Sequence, residues 1–365
     1  MQPRDLSTHS EYVPGRGVEE VARDLGLDPD EVIKLSSNEN PHGASPQAVQ
    51  AIRDNAEKIS VYPKASHTDL TERLAAQWGV ADEQVWLSPG ADGSIDYLSR
   101  AMLEPDDDVL APEPGFAYYG MSARYHHGDV NNYALSKADD FAQTAETVLE
   151  SYGGERIVYV TSPHNPTGSA MPVDEVRKLA AATAEETLVV VDEAYGEFAE
   201  VDSAVSLVEE RDDVAVLRTF SKAYGLAGLR VGYCLVPEDW ADAYARINTP
   251  FAASELACRA AHAALDDDDH VATSVETARW AREYIREELD APTFASEGNF
   301  VLAEVGDAEA FSEAAQQEGV IIRDCSSFGL PACVRISTGT REGTKAAVDT
   351  LNDVLAALEL GVHAQ

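Results

Sequence analysis

Short runs of apolar and β-branched residues recur along the first two thirds of the chain and predict buried strands. The runs are QVWLSP (84–89), RIVYVTSP (156–163), TLVVVDEAY (187–195), VAVLRTFSK (214–222) and LRVGYCLV (229–236). Because apolar residues fill nearly every position of these runs, instead of every second one, we expect both faces of the sheet to be covered.

Between these runs lie stretches in which apolar residues return every three or four positions, as on one face of a helix. Residues 69–79 (DLTERLAAQWG) and 172–186 (PVDEVRKLAAATAEE) are the clearest. Strands that alternate with helices predict an α/β fold with a mostly parallel, helix-covered mixed sheet. A short glycine-rich turn within 218–230 joins two strands directly, which predicts one antiparallel strand in that sheet.

The pattern changes after about residue 250. A long helical region, roughly 254–289, precedes three short apolar runs at 299–305, 319–325 and 333–339 and a final helix near 341–358. This order predicts a second, smaller α+β domain. We therefore expect a large domain over 36–250, and a small domain with an N-terminal arm formed by 1–35 together with 251–365.

Acidic residues outnumber basic ones along the whole chain, and this excess limits the possible partners. The sequence has 65 Asp and Glu against 27 Lys and Arg, a formal net charge of −38. Such a surface repels nucleic-acid phosphates and anionic membranes, so neither is an expected partner. Because the acid is spread along the chain, we interpret it as an adaptation to high salt, in which ions screen the repulsion.

Cysteine and histidine positions do not indicate a metal site. Cys234, Cys258, Cys325 and Cys333 form no CxxC pair, and no HExxH motif occurs. The N-terminal residues lack the apolar core of a secretory signal, and no apolar run is long enough to span a membrane. The sequence therefore predicts a soluble, cytoplasmic protein that binds no metal.

The stretch RTFSKAYGLAGLR (218–230) places a lysine directly after a predicted buried strand. Lys222 could simply extend from the surface into solvent. Alternatively, it could form a Schiff base, which requires an amine held near neutrality by desolvation or by nearby cations. Arg230 could pair with a phosphate and lower the pKa of that amine, and the Ser221 hydroxyl could bind the same phosphate.

Three further turns place polar groups after predicted strands. Asp192 could cap its turn or keep a heterocyclic nitrogen protonated, and Tyr195 could bond a ring oxygen. Asn165, in TSPHNPTG, could form a turn or point its amide at a ligand. In SPGADGSID, the N–H groups of residues 90–92 would open a helix and bind an anion. Together these groups suit a phosphorylated aldehyde cofactor with a basic ring nitrogen.

These stretches resemble the fold-type-I, pyridoxal-phosphate-dependent aminotransferases over nearly the full chain. SKAYGLAGLRVGY, DEAY and NPTG resemble motifs that this superfamily shares widely. More particular matches resemble its histidinol-phosphate branch: YVPGRGVEEVARDLGL (12–27), KLSSNENPHG (34–43), VYPK (61–64), VIIRDC (320–325) and VRISTGT (334–340). The resemblance implies the fold-type-I architecture, a large domain with a mixed sheet plus a smaller α+β domain.

The resemblance also implies a role for each matching residue. Lys222 would form the Schiff base with pyridoxal 5'-phosphate and then move the proton, while Asp192 would pair with the pyridinium nitrogen. Tyr195 and Asn165 would bond the phenolic oxygen. Phe116 would stack on the ring, without the hydroxyl that a tyrosine often supplies there. The phosphate would be held by Ala91, Asp92, Ser221 and Arg230, with Tyr62 reaching it from the second subunit of a homodimer.

The implied substrates follow from the same branch. Arg335, helped by Arg323 and Tyr12, would grip the phosphate of L-histidinol phosphate in one half-reaction and a glutamate carboxylate in the other. With 2-oxoglutarate as acceptor, the products would be imidazole-acetol phosphate and L-glutamate, formed by ping-pong kinetics in histidine biosynthesis. Asn299 would hold the small domain against the site or only begin a strand.

Other functions remain open because substrate choice depends on the shape of the pocket. Within the superfamily, the alternatives are an aromatic or broad-range aminotransferase and threonine-phosphate decarboxylase, which would release CO2 from a phosphorylated amino acid. A nucleotide-dependent oxidoreductase is disfavoured, since no GxGxxG motif follows the first strand. A non-catalytic regulator is disfavoured, since no basic DNA-binding patch is present.

Overall fold

The computed structural model describes residues 6–7, 9, 11, 17–64 and 67–363. The strands in these ranges are β1 Ile33–Leu35, β2 Val85–Ser88, β3 Asp108–Glu113, β4 Asp129–Ala134, β5 Ile157–Thr161, β6 Leu188–Asp192, β7 Val214–Thr219, β8 Gly232–Leu235, β9 Phe300–Glu304, β10 Val320–Asp324 and β11 Cys333–Ser337. The α-helices are α1 Val18–Leu25, α2 Pro46–Asn55, α3 Thr68–Trp78, α4 Ala91–Met102, α5 Tyr118–Tyr125, α6 Ala145–Leu149, α7 Val173–Ala182, α8 Val205–Val208, α9 Ala241–Ile247, α10 Glu255–Ala264, α11 Asp268–Glu288, α12 Ala308–Gln317 and α13 Arg341–His363.

The larger sheet has the strand order β2-β8-β7-β6-β5-β3-β4. Its neighbours pair in parallel, except that β8 runs antiparallel to both β2 and β7. Every residue of β5 and β6 is buried, with alternate side chains in two separate apolar clusters on the two faces. The predicted α/β class and the single antiparallel strand are confirmed.

Strands β3 and β4, at one edge of this sheet, are not indicated by the apolar pattern. In β4, the side chains of Asp129, Asn131 and Asn132 are exposed, and β3 carries Pro112 beside the exposed Glu113. An edge strand has solvent on one side and avoids apolar residues there, since they would invite pairing with another chain. Polar composition therefore explains why the apolar pattern does not indicate β4, whereas β3 is an inner strand whose apolar run, residues 109–111, is only three residues long before Pro112.

The smaller sheet has the order β1-β10-β11-β9, in which β1 and β10 are parallel and the other pairs antiparallel. It has its own apolar cluster with α11, α12 and α13. We propose that the two sheets are the centres of the two domains predicted at 36–250 and at 1–35 with 251–365. Helix α10 lies beyond residue 250, yet its buried alanines pack into the core of the large sheet beside α2.

Strands β2, β5, β6 and β7 run in the same direction and end at one edge of the large sheet. The four polar turns that follow them therefore meet at this edge, where open α/β sheets bind their ligands. Within the described ranges, no helix is long and apolar enough to cross a membrane.

Candidate active site

A cavity of about 700 Å³ lies at this edge and is also lined by residues of β10 and β11 from the small sheet. Its size suits a small-molecule ligand. Most residues that the sequence predicts for the site line it: Ala91, Asp92, Phe116, Asn165, Asp192, Tyr195, Ser221, Lys222, Arg230, Arg323 and Arg335. The fold thus brings together side chains from turns that are far apart in the sequence.

Lys222 lies in the cavity, on the turn after β7. Its Nζ is 3.4 Å from the carbonyl oxygen of Ser37 and 5.5 Å from the centre of the Tyr195 ring. The turn requires glycine at position 225, where φ is +70° and a Cβ atom would lie 2.0 Å from the carbonyl oxygen of Gly43. A closely packed turn therefore holds the lysine in the cavity, and the alternative of a side chain extended into bulk solvent does not apply.

An arginine and a helix N-terminus meet at one end of the cavity. Helix α4 begins at Ala91, and the first N–H groups of a helix have no intrahelical acceptor. Arg230 donates hydrogen bonds to the carboxylate of Asp92 at 2.9 Å and to the hydroxyl of Ser221 at 3.4 Å. Gly90 has φ +83°, and a Cβ atom there would lie 2.5 Å from Nη2 of Arg230. Glycine at position 90 therefore lets the Arg230 guanidinium lie directly against the turn that opens α4.

Asp192 ends β6 and is buried, with 4% of its surface exposed. Its Oδ2 accepts a hydrogen bond from the Tyr119 hydroxyl at 2.7 Å, and its Oδ1 accepts one from the backbone N–H of Ala194 at 3.0 Å. Burial nevertheless raises the pKa of Asp192 to about 6, because desolvation outweighs the two bonds that favour the carboxylate. A cationic partner in the cavity would stabilise the charged form.

Tyr119 and Thr161 support Asp192, and the sequence does not predict this role for either residue. The Tyr119 hydroxyl lies 2.8 Å from Oγ1 of Thr161, and its ring stacks on that of Tyr159 with centroids 4.4 Å apart. Phe116 packs its ring edge-on against Tyr119 at 5.6 Å. The aromatic run FAYY at 116–119 is the feature that could have drawn attention to Tyr119.

Arg335, on β11, joins the small sheet to the asparagine turn. It is 6% exposed, and it donates through Nη1 to Oδ1 of Asn165 and through Nη2 to the carbonyl oxygen of Ser36 at 2.7 Å. Because a guanidinium only donates, the amide oxygen of Asn165 faces Arg335, and its NH2 group is left to donate elsewhere. Arg323 is the direct cross-strand neighbour of Arg335, so this end of the cavity carries two cations.

Residues 36–38, directly after β1, contact several site side chains, and the sequence does not predict this role. The backbone carbonyl oxygens of Ser36, Ser37 and Asn38 accept hydrogen bonds from Arg335, Lys222 and Asn299, respectively. Asn38 has φ +53°, a conformation that asparagine tolerates better than most residues. The hydrogen bond from Asn299 connects the start of β9 to this segment. Such a contact is needed if Asn299 holds the small domain against the site.

A buried ion-pair network lies beneath the lysine and aspartate turns. Arg218, on β7, donates to Glu193 and to Glu197, each at 2.7 Å. Glu193 also accepts a hydrogen bond from the Ser203 hydroxyl at 2.6 Å. Such extra bonds are what a buried ion pair needs to offset its desolvation. Because Glu193 follows Asp192 directly and Arg218 lies on the strand before the lysine turn, the network fixes the two turns relative to each other.

Tyr62, a predicted site residue, does not line the cavity. Tyr62 is 81% exposed, and its ring centre lies 5.0 Å from that of Phe251. Ile59 and Val61 beside it are exposed as well, which gives an apolar patch on the surface of the protein. Tyr12 lies outside the described residues.

Comparison with known proteins gives close matches over the whole chain. The family model for class I and II aminotransferases matches residues 30–351. Histidinol-phosphate aminotransferase of Halorubrum lacusprofundi is 77% identical over 364 residues, which cover all of both chains. The same enzyme of Haloferax volcanii is 70% identical over 98% of this chain and 99% of its own. A crystal structure of histidinol-phosphate aminotransferase from Sinorhizobium meliloti, in complex with pyridoxal 5'-phosphate, superimposes with a TM-score of 0.86 at 28% identity, covering 95% of this chain and 96% of that one.

Proposed function

The chain belongs to the class I and II aminotransferase family, and we propose that it transfers the amino group of L-histidinol phosphate to 2-oxoglutarate. The products are imidazole-acetol phosphate and L-glutamate, and the reaction serves histidine biosynthesis. One observation of the structure carries this proposal. A single cavity holds a lysine amine, a buried carboxylate, an anion site at a helix N-terminus and a pair of arginines.

Pyridoxal 5'-phosphate is the cofactor, and the anion site of the cavity fits its phosphate. The N-terminus of α4 at Ala91 and Asp92 would supply N–H groups, and Ser221 and Arg230 would supply a hydroxyl and a positive charge. The Arg230 guanidinium, which lies against Gly90 at the start of α4, is the feature that fits a phosphate most specifically.

The other half of the cavity fits the ring of the same cofactor. Asp192, buried and in need of a cationic partner, would face the ring nitrogen. Asn165 and Tyr195 would face the phenolic oxygen, and Phe116 would stack on the ring. When bound, the cofactor supplies the electron sink that stabilises negative charge at the substrate Cα.

Lys222 is the proton carrier in this proposal. Its amine would take the proton from Cα of L-histidinol phosphate and, in the second half-reaction, deliver a proton to Cα of the forming L-glutamate. The carbonyl oxygen of Ser37, 3.4 Å from Nζ, is a hydrogen-bond acceptor that keeps the amine in the cavity.

Arg335 and Arg323 would receive the acidic group of each substrate in turn. Both substrates carry an anion, a phosphate in the donor and a carboxylate in the acceptor, and a guanidinium binds either through two parallel hydrogen bonds. Because Arg335 is almost fully buried, its charge is little screened by solvent. Tyr12 stays part of the proposed substrate site.

We also propose a homodimer in which Tyr62 reaches the cofactor phosphate of the opposite subunit. The exposure of Tyr62 within an apolar patch supports this arrangement, since a buried interface would cover the patch. A cytoplasmic location stays a prediction from the sequence.

Product analysis distinguishes this function from its rivals. The protein would be incubated at high salt with L-histidinol phosphate and 2-oxoglutarate, and mass spectrometry is expected to find imidazole-acetol phosphate and glutamate in equal amounts. Parallel reactions would contain L-phenylalanine with 2-oxoglutarate, or L-threonine O-phosphate alone with detection of CO2. Faster turnover of phenylalanine, or release of CO2, would replace the proposed substrate by that of the corresponding rival. The Lys222→Ala variant serves as the inactive control.

A further inference from the structure

Asn38 lies where the two sheets and the cavity meet. Its side chain is 1% exposed, and it lines the cavity close to Tyr195. Its side chain contacts Tyr195, in the turn after β6 of the large sheet, and Ser337, at the end of β11 of the small sheet. Asn38 is not one of the predicted site residues, yet it contacts Tyr195, which is proposed to face the cofactor.

The hydrogen bonds between Asn38 and Ser337 have a defined direction. The backbone N–H of Asn38 can only donate, so Oγ of Ser337 accepts at 2.9 Å. The single proton of that hydroxyl is then donated to Oδ1 of Asn38 at 2.8 Å. If the amide were turned around, two donors would face Ser337, and its buried proton would have no acceptor in the contacts that the structure describes.

This direction is passed on to Tyr195. With Oδ1 of Asn38 bound to Ser337, its Nδ2 group faces Tyr195 and donates to the hydroxyl oxygen at 3.0 Å. A tyrosine hydroxyl has one proton, and an oxygen that accepts from an amide keeps that proton for another acceptor. Since Tyr195 lines the cavity, the free side of its hydroxyl is directed at whatever the cavity binds.

We propose that Asn38, held in one orientation by Ser337, is a positioning residue that makes the Tyr195 hydroxyl a hydrogen-bond donor into the cavity. The inference rests on the proposed function, because the acceptor it would serve is the phenolic oxygen of pyridoxal 5'-phosphate. The same principle operates at Asn165, whose amide oxygen is bound by Arg335. The two proposed donors to the phenolic oxygen, Asn165 and Tyr195, are thus both oriented by residues of β11. Arg335 bonds Asn165 directly, and Ser337 acts on Tyr195 through Asn38.

A donor at the phenolic oxygen stabilises its anionic form. The bound cofactor changes its absorbance with pH as it gains a proton, and a stabilised anion takes up this proton at lower pH. Loss of the donor is therefore expected to move the pH midpoint of the absorbance change upward. Tyr195→Phe, which removes the hydroxyl, sets the full size of this shift, about one pH unit for one hydrogen bond to a charged group.

Two independent variants act on the direction of the bond. Asn38→Asp replaces the amide donor by a carboxylate oxygen, which can only accept, so the Tyr195 proton turns away from the cavity. Ser337→Ala removes the proton that holds Oδ1 and lets the amide turn, without any change in charge. Each is expected to raise the pH midpoint. Ser337→Thr keeps the hydroxyl and is the conservative control, with a midpoint expected to match the wild type.

Each variant would also be combined with Tyr195→Phe in a double-mutant cycle. A carboxylate at position 38 acts directly on the cofactor through its charge, and this part of the shift persists when the hydroxyl is absent. The part of the midpoint shift that acts through the Tyr195 hydroxyl disappears in the Tyr195→Phe background. The shift from Asn38→Asp should therefore shrink in the Tyr195→Phe background, and the shift from Ser337→Ala should vanish there. Additive shifts would overturn the proposal, since a merely structural role does not depend on the hydroxyl.

The titration needs no amino donor, which separates this inference from the proposed substrate. The other charged and titratable groups that line the cavity are the same in every variant: Glu11, Lys34, Glu39, Asp92, Tyr119, Asp192, Lys222, Arg230, Arg323 and Arg335. If the wild-type protein binds the cofactor but ignores L-histidinol phosphate, the substrate assignment fails and the cycle still decides the role of Asn38. If transamination is normal and the shifts are additive, this inference alone fails.

Discussion

Arg335 donates a hydrogen bond to the amide oxygen of Asn165, so a residue proposed to hold the substrate also orients a residue proposed to face the cofactor. The arginine comes from the small sheet and the asparagine from the turn after β5 of the large sheet. The contact therefore crosses between the two sheets at the cavity. Binding of an acidic substrate group at Arg335 would take place beside the group that contacts the phenolic oxygen.

Replacing Arg335 by lysine is expected to impair both half-reactions. A lysine keeps the charge, but its compact ammonium cannot bond Ser36 and Asn165 while also binding an anion through two parallel bonds. We expect kcat/KM for L-histidinol phosphate and for 2-oxoglutarate to fall about 100- to 1,000-fold, or ~3–4 kcal/mol. Single-turnover kinetics of each half-reaction would measure this.

Arg341→Lys is the matched control for that change. Arg341 stacks 4.7 Å above the Trp280 ring and forms an ion pair with Glu276 outside the cavity. The same substitution there is expected to leave both half-reactions unchanged. An Arg335→Lys variant that loses only one half-reaction would contradict a single arginine serving both substrates.

Asp192 is expected to destabilise the cofactor-free protein as pH rises. Its pKa is about 6 in the folded protein and near the ordinary 3.8 when unfolded. Between these values the folded state binds more protons, so the contribution of the neutral carboxyl is full below about pH 4 and is lost as pH rises through 6. Relative to Asp192→Asn, the wild type should lose up to about 3 kcal/mol between pH 4 and 7.

Denaturant unfolding of both cofactor-free proteins across this pH range would test the sign. Parallel stability curves for the wild type and Asp192→Asn would contradict a raised pKa. With the cofactor present, the wild type should be more stable than Asp192→Asn at neutral pH, because the protonated ring nitrogen supplies the cation that the buried carboxylate lacks. Asp192→Asn should then bind pyridoxal 5'-phosphate more weakly than the wild type.

Hybrid dimers would test the position of Tyr62. If each site combines Lys222 of one subunit with Tyr62 of the other, a dimer of one Lys222→Ala and one Tyr62→Ala subunit has one site with both changes and one intact site. Random reassociation of the two variants in equal amounts should therefore give about a quarter of the sites in the intact, wild-type form. No recovery, with mixed dimers verified by mass, would place Tyr62 and Lys222 in the same subunit.

Salt is expected to stabilise the fold. The two relatives described above come from halophilic archaea, in agreement with the net charge of −38. At 1 M salt the screening length is about 3 Å, so repulsion among exposed carboxylates largely disappears. The melting temperature should rise steadily with potassium chloride, and by less with sucrose, which favours compact states without screening charge. Equal stability in dilute buffer would contradict the interpretation.

The residues that follow strands are the part of the site that sequence can predict. Lys222 and Asp192 each come after a run of apolar residues, so their place at the sheet edge follows from the direction of the strands. Their pairing in one cavity follows from the α/β pattern. The edge strand β4 cannot be predicted in this way, because most of its residues are polar and exposed.

The residues that orient the site are not accessible in this way. Ser337 bonds Asn38 across 299 positions of sequence, and Tyr119 bonds Asp192 across 73. Neither pair has a periodic pattern or a characteristic spacing, since the contacts arise only when the end of β11 meets the segment after β1 and when α5 packs against β3 and β4. Sequence motifs therefore indicate which groups face the ligand, and the structure is needed to show what fixes their hydrogen bonds.

The absorbance spectrum of the purified protein in high salt tests the central claim most directly. The band of the bound cofactor is expected to bleach when L-histidinol phosphate is added and to return with 2-oxoglutarate, while Lys222→Ala shows neither change. A wild-type band that bleaches with an aromatic amino acid but not with L-histidinol phosphate would contradict the proposed substrate. The absence of any band after addition of pyridoxal 5'-phosphate would contradict the role of Lys222 itself.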